Sequence, residues 1–126
     1  MEQKLTPIRV ATVVGAGAMG SGIAQVLAQA GVRVHLYDTK DEALERAMQK
    51  MQATMDRLVE KGTFTAERAA DILGRISPIL YLREASDSDL VIEAIYENLE
   101  AKRSVFTTLD DVVSDECILA TNTSSL

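Results

Sequence analysis

The sequence has few of the residues that stabilise small secreted domains or fill large aromatic cores. Its 126 residues include one cysteine, one histidine, no tryptophan and 4% aromatic residues. The single cysteine, Cys117, cannot form an internal disulfide, which is consistent with a reducing compartment. Any core must therefore be built from aliphatic side chains, and the 47% of hydrophobic residues are enough for one domain.

Long apolar runs and an excess of basic residues are also missing. No basic segment followed by a long apolar run opens the sequence, and no apolar stretch approaches the roughly 18 residues that a membrane span requires. There are 13 basic residues against 19 acidic ones, a balance that argues against nucleic acid as a partner. We expect a cytoplasmic single-domain chain with neither a membrane nor a nucleic-acid partner and without a metal site.

What the sequence does contain is an alternation of strand and helix patterns. The third strand, which contains Pro78, is expected at a sheet edge or to end early. The predicted strands are Ile8–Val14, Val32–Tyr37, Arg75–Leu80, Asp89–Ile95 and Cys117–Thr121. The predicted helices are one that ends at Gly31, one over Asp41–Lys61 with Asp41 as its cap, one over Thr65–Leu73 closed by Gly74, and one over Glu100–Val113. This order predicts a doubly wound parallel α/β fold, with an antiparallel helical pair inserted after the second strand.

A glycine-rich turn joins the first strand to the first helix. Gly15, Gly17 and Gly20 match G-x-G-x-x-G in the context that gives this pattern meaning. Gly15 would allow the tight turn, Gly17 would admit a pyrophosphate, and Gly20 would let the helix lie close to the strand. The helix start would then face the phosphates with its N–H groups. The alternative is a turn that serves packing only.

Asp38 follows the second strand and lies 23 residues after Gly15. A carboxylate there can accept hydrogen bonds from the adenosine ribose hydroxyls and would repel a 2′-phosphate, which favours NAD over NADP. Lys40 nearby weakens that preference. Asp38 could instead be a solvated turn residue or a cap for the long helix.

Four segments together resemble the 3-hydroxyacyl-CoA dehydrogenase family, which includes the 3-hydroxybutyryl-CoA enzymes. They are "GAGAMGSGIAQVLA", "YD" at Tyr37 and Asp38, "DLVIEAIYENLEAK" from Asp89 to Lys102, and "LATNTSSL" at the end. The resemblance runs from about Val10 to Leu126. It implies a Rossmann-type NAD-binding domain whose helical pair reaches towards coenzyme A.

The resemblance also implies site residues. The cofactor would be contacted by Gly15, Ala16, Gly17, Ala18, Met19, Gly20, Asp38, Glu97, Lys102 and Ser124. Of these, Glu97 and Lys102 would lie beside the nicotinamide-side ribose. Ser124, supported by Asn122, would lie between nicotinamide and the reacting carbon of the acyl-CoA substrate, where it would contact the substrate and assist catalysis. Read without the family, Glu97 and Lys102 are an ordinary charge pair at a helix start, and Ser124 belongs to a polar turn.

Coenzyme A would be contacted by Thr54 and Lys61, the latter suited to a phosphate. A lysine just before Gly62 is equally what a helix C-terminus favours. His35 is interpreted as a strand residue rather than a base. Glu93, a carboxylate within a predicted buried strand, is costly unless it is hydrogen-bonded and is assigned no chemistry.

In the full enzyme, the resemblance implies oxidation of a 3-hydroxyacyl-CoA to a 3-oxoacyl-CoA with hydride transfer to NAD, as in fatty acid β-oxidation. The family's catalytic histidine and its partner glutamate would come after Leu126, with the last strands and a C-terminal helical domain that forms a homodimer. Residues 1–126 are thus expected to be an incomplete NAD-binding domain that is inactive alone. The alternatives are a binding module without catalysis and another β-hydroxyacid dehydrogenase.

Overall fold

The computed structural model describes residues 7–95 and 99–121 of the chain. Its centre is a five-stranded sheet in the order β3-β2-β1-β4-β5, in which every neighbouring pair is parallel. The strands are β1 (Val10–Val14), β2 (Arg33–Tyr37), β3 (Ile76–Ile79), β4 (Leu90–Glu93) and β5 (Ile118–Thr121). The predicted parallel α/β fold is confirmed, and β3 with its proline lies at a sheet edge as predicted.

Three helices cover one face of the sheet. They are α1 (Ala18–Gln29), α2 (Asp41–Glu60) and α3 (Ala66–Gly74). Ala11 and Val13 of β1 point into this layer and are fully buried with Met55 of α2 and Ile72 of α3. Leu44 and Met51 of α2 are buried in the same layer, and the core is aliphatic as expected.

The opposite face is covered by α4 (Leu99–Val112) and by a single 3₁₀ turn at Leu82–Ala85 that the sequence analysis did not predict. Val14 and Val91 pack there against Val105 and Leu109 of α4. Since α4 and α1 to α3 lie on different faces, the sheet is sandwiched between helices, and its carboxyl edge stays open for a site.

The first and fourth strands are shorter than predicted, and a carboxylate binds the backbone near one end of each. The backbone N–H groups of Arg9 and Val10 donate to the Asp89 carboxylate, at 2.8 and 3.0 Å. At the other end of β4, the Ile95 N–H donates to the Glu93 carboxylate. In the structure β1 begins at Val10, and β4 runs from Leu90 to Glu93.

The helix ends follow the predicted signals with two exceptions. Gly74, predicted to close the third helix, is the last residue of α3, and Arg75 is the C-cap; the other exception is the start of α2. Gly31 and Gly62 adopt positive φ angles of 93° and 77° directly after the C-caps of α1 and α2. Asp41 is not the cap of α2: Lys40 holds that position, without a side-chain bond, and Asp41 lies in the first turn. The cap assignment was wrong because the Lys40 carbonyl accepts the first helical bonds, from the Ala43 and Leu44 N–H groups, which makes Lys40 the N-cap. No helix in residues 7–95 and 99–121 is long and apolar enough to cross a membrane.

Candidate functional site

The glycine-rich turn leaves β1 at the carboxyl edge of the sheet. Gly15 has a φ of 113°, which side chains other than hydrogen rarely allow. A Cβ there would stand 2.7 Å from the carbonyl oxygen of Ala94, which directly follows β4, so there is also no room for a side chain. The Gly15 N–H donates to the Tyr37 carbonyl at 2.7 Å and ties the turn to the end of β2.

The other two glycines differ in what surrounds them. A Cβ on Gly20, which is buried, would overlap the Gly15 carbonyl oxygen, so only glycine lets α1 pass this close to the turn. A Cβ on Gly17, the N-cap of α1, would meet nothing within 4 Å. Gly17 therefore borders open space, which is what a ligand that approaches the backbone requires.

Asp38 lies opposite this turn. One carboxylate oxygen accepts from the Ala16 N–H at 2.8 Å and the other from the Lys40 N–H at 2.9 Å. Since each carboxylate oxygen has two acceptor positions, both oxygens can still accept a hydroxyl proton. Asp38 is thus more than a solvated turn residue: it holds the glycine-rich turn in place while it keeps capacity for a ligand.

These groups line a cleft of about 390 Å³, called here the turn cleft. The first turn of α1, where Ala18 and Met19 lie, contains no acidic residue, so the partial positive charge of the helix start is not cancelled. The arrangement suits an anion beside Gly17 and a diol beside Asp38. The cleft is lined by Val14, Gly15, Gly17, Tyr37, Asp38, Thr39, Lys40, Ala43, Arg46, Ala94, Ile95 and Ala101.

A second cleft, also of about 390 Å³, opens between α1 and α2 and is called here the interhelical cleft. It shares Gly17, Ala43 and Arg46 with the turn cleft, so the two clefts adjoin. Thr54, predicted to contact coenzyme A, lines its far end together with Lys50. Arg46 and Lys50 were not predicted from the sequence, although positions 46, 50 and 54 recur every four residues and so share one helix face.

Lys61 does not line either cleft. It is the C-cap of α2, an exposed position seven residues beyond Thr54 and so roughly 10 Å further along the helix axis. The structure therefore separates the two residues that were predicted to contact coenzyme A together.

A buried carboxylate marks the carboxyl end of β4. Glu93 is fully buried and accepts from the Thr121 hydroxyl of β5 at 2.7 Å, with its other oxygen on the Ile95 N–H. The Lys102 ammonium of α4 lies 3.9 Å from the same oxygen that Thr121 contacts. Lys102, predicted at the nicotinamide-side ribose, is thus held at the carboxyl end of β4 by its ion pair with Glu93. From the sequence, Glu93 was expected only to need hydrogen-bond partners.

Three predicted residues, Glu97, Asn122 and Ser124, lie outside the described residues. His35 is in β2 as predicted, with its Nε2 3.0 Å from an Asp87 carboxylate oxygen, and it lines neither cleft. Among residues 7–95 and 99–121, no three histidine, cysteine or acidic side chains gather as metal ligands.

Two groups with shifted pKa values, Asp89 and Cys117, lie at the amino edge of the sheet, away from the two clefts. The two N–H groups of Arg9 and Val10 hold the pKa of Asp89 below its ordinary value. Burial, followed by the charge of Asp89, raises the pKa of the Cys117 thiol. The Asp89 carboxylate links the start of β4 to the start of β1, since it binds the backbone that leads into β1.

The family model for the 3-hydroxyacyl-CoA dehydrogenase NAD-binding domain matches residues 10–126. A probable 3-hydroxybutyryl-CoA dehydrogenase of Bacillus subtilis strain 168 is 46% identical over 114 residues, covering 90% of this chain and 40% of that protein. The crystal structure of 3-hydroxybutyryl-CoA dehydrogenase from Escherichia coli K12 matches with a TM-score of 0.91 and 40% identity, over 96% of this chain and 26% of that one.

The crystal structure of (S)-3-hydroxybutyryl-CoA dehydrogenase from Ralstonia eutropha gives a TM-score of 0.89 at 36% identity, over 95% of this chain and 42% of that one. The chain thus spans less than half the length of each of these three proteins. The glycine-rich turn, the acidic residue after β2 and the parallel sheet all agree with this match. The chain therefore belongs to the 3-hydroxyacyl-CoA dehydrogenase family and corresponds to its NAD-binding domain.

Proposed function

We propose that residues 10–121 hold NAD along the carboxyl edge of the sheet and that the protein oxidises 3-hydroxyacyl-CoA to 3-oxoacyl-CoA. The observation that carries the proposal is the open space at Gly17, flanked by Asp38 and by the start of α1. NAD accepts the hydride in this chemistry, whereas the protein binds and orients the cofactor and the substrate and excludes water from them.

The adenosine end would lie against Asp38. Its carboxylate is held by two backbone N–H groups, which fix its direction before a ligand arrives. A prepositioned acceptor loses little freedom on binding, and its charge opposes a 2′-phosphate. Lys40 lines the same cleft, but its backbone rather than its ammonium contacts Asp38.

The nicotinamide end would lie towards Lys102, with Glu97 and Ser124 completing it as the family resemblance implies. Lys102 supports this placement, since its ammonium is near the carboxyl end of β4 and only 15% of its side chain is exposed. Ser124 could donate to or accept from an oxygen at the reacting carbon. A catalytic histidine and glutamate, and a helical domain that forms a homodimer, would be supplied by residues outside the 126.

The acyl-CoA substrate would enter along the interhelical cleft. Arg46 and Lys50 carry two positive charges on the face of α2 that also bears Thr54, and phosphates of coenzyme A are dianionic or monoanionic groups that such charges attract. Lys61 stays a candidate for a more distant phosphate. We place the enzyme in acyl-CoA metabolism such as β-oxidation and in the cytoplasm.

The cofactor assignment is tested by titrating the chain with NADH and NADPH in a calorimeter. The wild-type chain should bind NADH more tightly. Asp38→Asn should narrow the difference, since a hydrogen bond to a charged group contributes about 1.5 to 3 kcal/mol. Asp41→Asn removes the same charge three residues away, in the exposed first turn of α2, and should leave the ratio unchanged. Tighter binding of NADPH by the wild-type chain would refute the assignment.

The coenzyme A assignment is tested with coenzyme A itself as the ligand. Arg46→Gln and Lys50→Gln should each weaken its binding, and Lys61→Gln tests the more distant position at the end of α2. A loss confined to Lys61→Gln would move the phosphate site to the end of α2. No loss in any of the three would remove coenzyme A from this surface.

A further inference from the structure

The residue that neither the proposed chemistry nor the core explains is Glu93. It is the one charged side chain that is buried among residues 7–95 and 99–121. Burying a carboxylate costs several kcal/mol unless it is well bonded, and replacing such a group by an apolar residue is often neutral or stabilising. Stability alone therefore gives no reason for a glutamate here.

The partners of Glu93 come from three separate segments. Its own strand exit provides the Ile95 N–H, β5 provides the Thr121 hydroxyl at 2.7 Å, and α4 provides the Lys102 ammonium at 3.9 Å. All three are donors, which is the arrangement that an ionised carboxylate requires and that a carboxamide, with donors of its own, cannot fully satisfy. The carboxylate thus holds together the exit of β4, the end of β5 and the first half of α4.

The position of this cluster matters because it lies beside the turn cleft. Glu93 pairs in register with Val14, the residue before Gly15, and with Thr121. Ile95 and Ala101, which flank the cluster in sequence, line the turn cleft. Along the chain, Ser124 follows Thr121 by three residues, a reach of at most about 11 Å.

We propose that Glu93 is a positioning residue for the nicotinamide half of bound NAD. It acts through Lys102 and through the ends of β4 and β5, and it does not itself touch the cofactor. The inference rests on the proposed function, and it gives Glu93 a role in positioning the nicotinamide half of NAD only. The adenosine half is held by Asp38, which shares no hydrogen bond with this cluster.

The experiment compares two ligands on matched variants of the chain. NAD carries the nicotinamide ribose and ADP lacks it, so the ratio of their affinities isolates the half in question. Glu93→Gln should weaken NAD binding about tenfold, a loss of roughly 1.4 kcal/mol, and leave ADP binding unchanged. Asp89→Asn is the control: it removes a carboxylate from the other end of β4, roughly 13 Å away, and should leave both affinities unchanged.

A second pair of variants covers the case in which Glu93→Gln does not fold. Thr121→Val removes the hydroxyl that donates to Glu93 and keeps the side-chain shape, and Thr121→Ser keeps the hydroxyl. Thr121→Val should lose NAD affinity selectively, by a smaller factor, and Thr121→Ser should retain it. A merely structural role would not produce this difference in ligand ratio.

The outcomes separate the inference from the function on which it rests. A wild-type chain that binds neither ligand refutes the proposed function. If the wild-type chain binds both ligands equally, or if Glu93→Gln weakens both to the same degree or neither, the positioning role is wrong while NAD binding by Asp38 and the turn stands. Equal NAD affinity of Thr121→Val and Thr121→Ser also overturns it.

Discussion

The β1–α1–β2 unit (residues 10–37) and the β4–α4–β5 unit (residues 90–121) reach the same edge of the sheet and are built differently. In the first unit the turn is shaped by glycines, with Gly15 at positive φ and Gly20 against the Gly15 carbonyl. In the second unit the corresponding edge is held by side chains around Glu93. Backbone geometry tolerates no side chain at Gly15 or Gly20 in the first unit, whereas the edge of the second unit is held by a charged side chain.

The largest effect is expected in the backbone-built unit. Gly20→Ala would force a Cβ into the Gly15 carbonyl and push α1 away from β1, which should lower the free energy of unfolding by about 2 kcal/mol or more. Gly22→Ala, two residues on, meets nothing within 4 Å and should raise the free energy by about 0.5 to 1 kcal/mol. Urea denaturation followed by circular dichroism measures both. Equal changes in the two variants would show that the close approach is not tight.

The next effect concerns the seam between the units. The Thr12 hydroxyl of β1 lies 2.7 Å from the Ser88 hydroxyl before β4, and both are buried. Thr12→Val and Ser88→Ala should each cost about 1 to 2 kcal/mol, because each leaves the other hydroxyl unpaired in an apolar layer. The double variant should cost less than the sum of the two, with a coupling of about 1 kcal/mol. Strict additivity in urea denaturation would mean that the hydroxyls do not depend on each other.

A smaller effect is expected from Asp89, which joins the seam at its amino end. Its pKa is lower in the folded chain than in the unfolded chain, because the N–H groups of Arg9 and Val10 favour the carboxylate. The stabilisation is therefore complete above the unfolded value of about 3.9 and is lost as pH falls through the folded value. Asp89→Asn should lower the urea midpoint at pH 7. Below pH 4, the midpoint of this variant should fall less steeply with decreasing pH than that of the wild-type chain. An unchanged acid limb would contradict the assignment.

The smallest effect is at Cys117. Burial and the charge of Asp89 raise the pKa of its thiol, so less thiolate is present at pH 8 than in an unperturbed cysteine. Alkylation by iodoacetamide should be slower than that of a free cysteine derivative. Asp89→Asn should speed it by less than about tenfold, since burial, the larger cause, remains. Mass spectrometry over time measures the rate, and a rate equal to that of the free derivative would exclude the shift.

The sequence predicted most of the fold and one side of the site. The edge position of β3 and the helix ends at Gly31 and Gly62 are confirmed, because proline and glycine act through their own backbone preferences. Asp41 as a cap was wrong, since the Lys40 carbonyl accepts the first helical bonds of α2. The 3₁₀ turn was missed because its four residues carry no periodic pattern.

The candidate site divides in the same way. The roles given to Gly17 and Asp38 came from spacing, and both residues line the turn cleft. Arg46 and Lys50 were missed, because an exposed charge on a helix is informative only once the opposite wall of a cleft is known. The cofactor contacts of Glu97, Lys102 and Ser124 stay predictions from resemblance.

By itself the sequence determined the parallel sheet, the glycine-shaped turn and the family, because each depends on short-range pattern and on what a residue's own backbone permits. Only the tertiary structure decided the surroundings of Glu93, whose partners lie two, nine and 28 residues away. The same holds for Asp38, which reaches back 22 residues to the Ala16 N–H. A buried carboxylate is stable only where donors converge on it, and that convergence is a property of packed elements that no local pattern encodes.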